Sequence, residues 1–174
     1  VVALAKSGKA FGVPTIFTTV AAKSFSGPMF PLLQEVFPGQ EPIDRSTVNS
    51  WEDDNFVAAI EKTGRQRLVM SGLWTTICLA YPALSAMEAG YEVYVVADTC
   101  GDVDEKSHER GLERVVNAGA IPVTWLQVLI EFQRDWARQQ TYDATLKIVK
   151  EHAGAYGMGV HYAEAMVGGF AHAG

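Results

Sequence analysis

The stretch 67–125 alternates short β-branched runs with helical ones, and this alternation limits the possible folds more than any other feature. Residues 67–72 (RLVMSG), 91–98 (YEVYVVAD) and 121–125 (IPVTW) are apolar runs of strand length. Between them, residues 75–89 and about 105–118 carry helical spacing. Strands joined through helices run parallel, and their crossovers are right-handed. The runs are nearly continuous in apolar character, which suits strands covered on both faces. The expected architecture is α/β, a three-layer, doubly wound domain with a mainly parallel sheet.

The remainder of the chain extends this pattern. Residues 1–11 have helical apolar spacing, with Gly12 where a C-cap falls, and residues 14–20 (PTIFTTV) read as a strand. Gly27 and Pro28 mark a loop, 29–37 a short helix, and 43–46 a further short strand. Residues 53–63 are amphipathic, with Phe56, Val57 and Ile60 on one face, and 128–152 predicts one long final helix. Residues 1–153 thus form one domain. The Gly- and Ala-rich tail 154–174 carries Tyr156, Met158, Tyr162, Met166 and Phe170, and suits either a loose end or an arm against another subunit.

Composition narrows the partners. With 174 residues, 48% hydrophobic and 20% charged, the chain can bury a full core. Its net charge is −6 and its basic residues are scattered, so it lacks the footprint of a nucleic-acid or polybasic membrane binder. No apolar run reaches bilayer length, and no signal peptide is visible. The two cysteines, Cys78 and Cys100, have neither zinc-site nor disulfide-framework spacing, which points to a reduced, cytoplasmic protein.

Ligands of open α/β sheets bind beyond the carboxyl ends of the strands. There the run Ser71, Gly72, Leu73, Trp74, Thr75, Thr76, Ile77, Cys78 stands out: a strand ends, the chain turns, and a helix starts with Cys78 in its first turn. Unpaired N–H groups and the helix dipole favour negative charge there, a setting that lowers a thiol pKa and supplies donors for a developing oxyanion. Pro82 cannot donate a hydrogen bond to the Cys78 carbonyl, so this turn is expected to be irregular. The plainer reading is that Cys78 is a small buried hydrophobe in an apolar helix.

The segment LVMSGLWTTICLAYPALSAMEAGYEVYVV, residues 68–96, resembles the signature of isochorismatase-like cysteine hydrolases. The form CLAYPALSA, with Asn49, Ser50 and Trp51, Gly119 and Ala120, Trp125, and the run Arg134, Asp135, Trp136, resembles the YcaC-like branch. The resemblance implies an Asp–Lys–Cys triad, with Cys78 as nucleophile and Arg45 standing where most of the family has Lys. It also implies a cis peptide between Leu73 and Trp74, and an oxyanion hole made by the backbone N–H groups of Trp74 and Cys78. The triad Asp belongs at the end of a first strand that would lie upstream of Val1, and no Asp precedes Asp44. Either the sequence lacks this strand or the protein has lost its general base. A sheet without a central strand would expose a large apolar slot, so the expectation is that the strand is missing from the sequence. Arg45 stays protonated and can fix a carboxylate or substrate oxygen without shuttling protons. Its other reading is a strand-end residue paired with Asp44 or Glu52.

Phe25, Trp51 and Trp74 are candidates for an apolar substrate pocket, or else core aromatics. Related nicotinamidases hold a metal through an Asp-x-His pattern, and residues 18–25 (TTVAAKSF) contain neither. His108, His152, His161 and His172 are widely spread, so no metal or other cofactor is expected. His108 reads as a residue that caps or orients its helix, and Cys100 as a structural thiol. The function so implied is hydrolysis of a C–N bond in a small amide-like substrate through a Cys thioester, in a homo-oligomer that family resemblance makes an octamer. The alternative is a non-catalytic or redox-responsive oligomeric protein that retains the fold.

Overall fold

In the computed structural model of the chain, which describes residues 1–167, every strand pairing is parallel. The strands are β1 (Thr18–Val20), β2 (Ile43–Arg45), β3 (Arg67–Met70), β4 (Glu92–Val96) and β5 (Ile121–Val123). They hydrogen-bond in two groups. β1 pairs with β2, Val20 lying opposite Arg45, and the second group runs β3-β4-β5 with Met70 opposite Val95. The run 14–20 therefore contributes a strand only over its last three residues.

The helices are α1 (Val2–Ala10), α2 (Pro31–Val36), α3 (Asp54–Lys62), α4 (Ala80–Glu88), α5 (Glu105–Asn117), α6 (Trp125–Gln133), α7 (Gln139–His152) and α8 (Ala155–Val167). Side-chain caps explain several starts. Asp53 accepts from the Phe56 N–H, Asp104 from the Ser107 N–H, and Thr124 forms a capping box with Gln127. Among the described residues, no helix is long and apolar enough to cross a membrane.

β4 is the centre of the layering. Val93 and Val95 face one core with Ala80, Ala83 and Ala86 of α4 and Val115 of α5. Val96 faces the opposite one with Val123, Val128, Leu4 and Phe132. The three alanines are wholly buried, and their small size brings α4 close to the sheet. A further core joins α1, α6, α7 and α8 through Ala3, Leu129, Val149 and Val160.

The long helix expected over 128–152 is two helices. α6 starts at Trp125 and ends at Gln133, because the next residue, Arg134, has a φ of 58° that no α-helix accommodates. Gln133, 1% exposed, staples the break. Its Nε2 donates to the carbonyls of Asp135 and Arg138 at 2.9 and 3.2 Å. Its Oε1 accepts from the hydroxyls of Thr141 and Thr145 at 2.6 and 3.1 Å. The apolar periodicity continues across this joint, which is why it reads as one helix.

Within the segment read as a tail, residues 155–167 form α8, while Phe170 and His172 lie outside the described residues. Gly157 lets α8 cross α7 closely, since a Cβ there would stand 2.6 Å from the Val149 carbonyl oxygen. Lys150 and Glu164 pair across the crossing at 2.6 Å. Met158, Tyr162 and Met166, one helical turn apart, point outward.

Candidate active site

β3 stops at Met70, and the chain then crosses to α4 by way of Ser71, Gly72, a cis Leu73–Trp74 peptide and a π-helical turn, Thr75–Leu79. The Trp74 carbonyl receives the N–H of Leu79 at 3.2 Å, five residues on, and the Ala80 N–H reaches the Thr75 carbonyl. Pro82 has no N–H with which to close the ordinary bond to the Cys78 carbonyl, so the wider turn meets no competing α-helical bond there. Gly72 packs beneath it, and a Cβ there would lie 3.6 Å from the Cys78 carbonyl oxygen.

Cys78 is half-buried on this turn. Among the described residues, its thiol takes part in no hydrogen bond, and the Trp74 N–H has no acceptor. Leu73, Trp74, Ile77 and Tyr81 are exposed around the turn. Two surface grooves run along α7, one against α8 and one against α1 and α2, and neither includes Cys78.

Arg45 is 6% exposed at the end of β2. Its Nη1 donates to the carbonyls of Thr47 and Val48, while its Nε is buried without a partner, as is the Thr47 hydroxyl. No ion pair joins Arg45 to Asp44 or Glu52 among the described residues. Asp44 instead accepts from the Ala22 N–H at 3.0 Å and the Thr19 hydroxyl at 2.8 Å, which hold its carboxyl below the usual range. A buried cation with an open donor and no carboxylate is a costly arrangement unless an anion meets it.

The aromatic candidates separate. Trp51 meets Phe56 and Tyr91 edge-on, at 6.1 and 5.4 Å between ring centres, and packs against the α4–β4 core. Phe25 is 82% exposed in the loop after β1, and Trp74 stands at the Cys78 turn. Cys100 lies beside the Ser71–Gly72 crossing and donates to the Val96 carbonyl at 3.2 Å. Burial pushes its thiol up, against hydrogen bonds from Gly72, Ser71 and Thr99.

Sequence reasoning misses the groups that hold the turn. Asp102 accepts from the Thr76 N–H at 2.7 Å and the Thr76 hydroxyl at 2.6 Å, and from the Val103 N–H at 2.8 Å. Burial raises its carboxyl, but these bonds and the nearby His108 outweigh that and leave it below the usual value. Thr75, fully buried, places its N–H and hydroxyl 2.9 and 3.0 Å from the Gly101 carbonyl. His108 Nδ1 is 2.8 Å from the same hydroxyl, so this histidine ties α5 to the Cys78 turn. Among the described residues, no cluster of three His, Cys, Asp or Glu side chains suits a metal ion.

Residues 1–127 match the model of the isochorismatase domain family. YcaC of Escherichia coli (strain K12), described as a probable hydrolase, is 39% identical over 147 residues, which are 84% of this chain and 71% of that protein. The crystal structure of the E. coli YcaC gene product, an octameric hydrolase of unknown specificity, is similar with a TM-score of 0.88 at 34% identity, covering 94% of this chain and 80% of that one. YcaC from Pseudomonas aeruginosa, with hexane-2,5-diol and covalent acrylamide, gives a TM-score of 0.86 at 34% identity, covering 92% and 79%.

Proposed function

The chain belongs to the isochorismatase family, and on that premise we propose that it is a cysteine hydrolase of small amide-like substrates with Cys78 as nucleophile. One observation carries the reading. Cys78 sits on a π-helical turn at the carboxyl end of a parallel strand, where the Trp74 N–H has no acceptor among the described residues. In the proposed reaction the Cys78 sulfur bonds to the carbonyl carbon, and the π electrons move to oxygen, held by the Trp74 and Cys78 N–H groups. The C–N bond then breaks, the amine leaves with a proton, and water hydrolyses the thioester to a carboxylic acid and free thiol. The resemblance assigns proton transfer to a triad Asp. The buried Nε of Arg45, without a partner here, suits such a carboxylate or a substrate oxygen.

Trp74 borders the proposed substrate position, and Phe25, exposed in the loop after β1, is proposed as a further pocket residue. A homo-oligomer, octameric as in the E. coli relative, and a cytoplasmic location belong to the same proposal. Acrylamide is the first probe, since a relative is described with it bound covalently. Peptide mass spectrometry of the treated protein is expected to find the adduct on Cys78 well before Cys100, whose thiol burial holds protonated. If Cys78 stays unmodified, or reacts no faster than Cys100, the hydrolase reading fails. The fold-retaining, non-catalytic reading then stands. It is favoured by the fact that no titratable side chain among the described residues hydrogen-bonds the Cys78 sulfur.

A further inference from the structure

The N–H groups entering the Cys78 turn are divided between two uses. The Thr75 N–H is taken by the Gly101 carbonyl at 2.9 Å, and the Thr76 N–H by Asp102 at 2.7 Å. Those of Trp74 and Cys78 have no acceptor outside the turn among the described residues. We propose that Asp102 is a positioning residue for the Cys78 site: it anchors Thr76 through both N–H and hydroxyl, and so keeps the Trp74 and Cys78 N–H groups aimed at a substrate oxygen. This rests on the cysteine-hydrolase reading above.

Three further contacts fix the same segment. The Val103 N–H holds the second oxygen of Asp102 at 2.8 Å, so the carboxylate is itself oriented. His108 reaches the Thr75 hydroxyl at 2.8 Å from the first turn of α5. One turn further along α5, Gly111 abuts the backbone, where an added Cβ would stand 3.0 Å from the Thr75 carbonyl carbon and the Thr76 nitrogen. The segment is thereby clamped between the 101–103 loop and α5. Displacing oriented donors by a fraction of an ångström is enough to slow a reaction that depends on them.

Two thiol reagents separate positioning from folding. Addition of the Cys78 thiolate to acrylamide forms a C–S bond at the terminal carbon and drives the alkene electrons toward the carbonyl oxygen, giving an enolate that then takes a proton from water at its α carbon. Displacement on iodoacetamide forms a C–S bond while iodide leaves with the electron pair, so no oxyanion develops. In Asp102→Asn the acrylamide rate at Cys78 is expected to fall at least about tenfold while the iodoacetamide rate stays within about twofold. Thr76→Val, which removes one of the two anchors and keeps the shape, is expected to shift the ratio the same way and serves if Asp102→Asn does not fold. If both reagents slow by one factor, or neither slows, Asp102 only supports the fold and the proposal is overturned. If wild-type Cys78 does not add acrylamide at all, the fault lies in the cysteine-hydrolase reading, and the positioning proposal falls with it.

Discussion

Asp102 gives the turn a measurable pH dependence. Its folded carboxyl titrates below its unfolded one, so it contributes stability that is fully present above the unfolded value of about 3.9 and is lost as pH falls through the lower, folded value. The stability difference between wild type and Asp102→Asn, measured by urea unfolding, is expected to be constant from pH 7 to about 4.5 and to shrink below about 3.9. A difference that grew on acidification would contradict the hydrogen-bonding described here. The place of Cys78 on a strand-to-helix turn was legible because strand end, turn and helix start are consecutive in the chain. Asp102 and His108 were not, because their partners are 26 and 33 residues away and only the fold brings them together.

Strand and helix signals are local, and residues 67–123 accordingly fold much as their patterns read. The joint between α6 and α7 shows where local signals stop. Val128, Leu129, Leu146 and Val149 keep their apolar spacing through it, while the break depends on one buried amide side chain with four partners. Gln133→Leu keeps roughly the volume but strands two carbonyls and the Thr145 hydroxyl. It is expected to destabilise by about 2–4 kcal/mol in denaturant unfolding, since each buried unsatisfied group costs about 1–3 kcal/mol. A near-neutral result would mean that the joint is set by packing alone. Arg45 is the comparable case at a strand end. The chain pattern put it at the carboxyl edge of β2 but could not reveal that its guanidinium is buried with Nε unpartnered.

For the molecule as a whole, β4 is shared by two cores, so neither can loosen alone. Val95 and Val96 are both fully buried on opposite faces. Val95→Ala and Val96→Ala are each expected to cost about 2–3 kcal/mol and to shift one cooperative unfolding transition seen identically by fluorescence and circular dichroism. Two separable transitions would show that the layers unfold independently. The π-helical turn carries a different kind of consequence, one of chain length. Such a turn is an α-helix with one residue inserted. Deleting a single residue between Thr75 and Leu79 would regularise the helix, yet it would rotate everything before the deletion by about 100° against everything after it. Indels at this point therefore leave a helix intact while moving its thiol to another face, so relatives that differ here by one residue would share the fold and part company in chemistry.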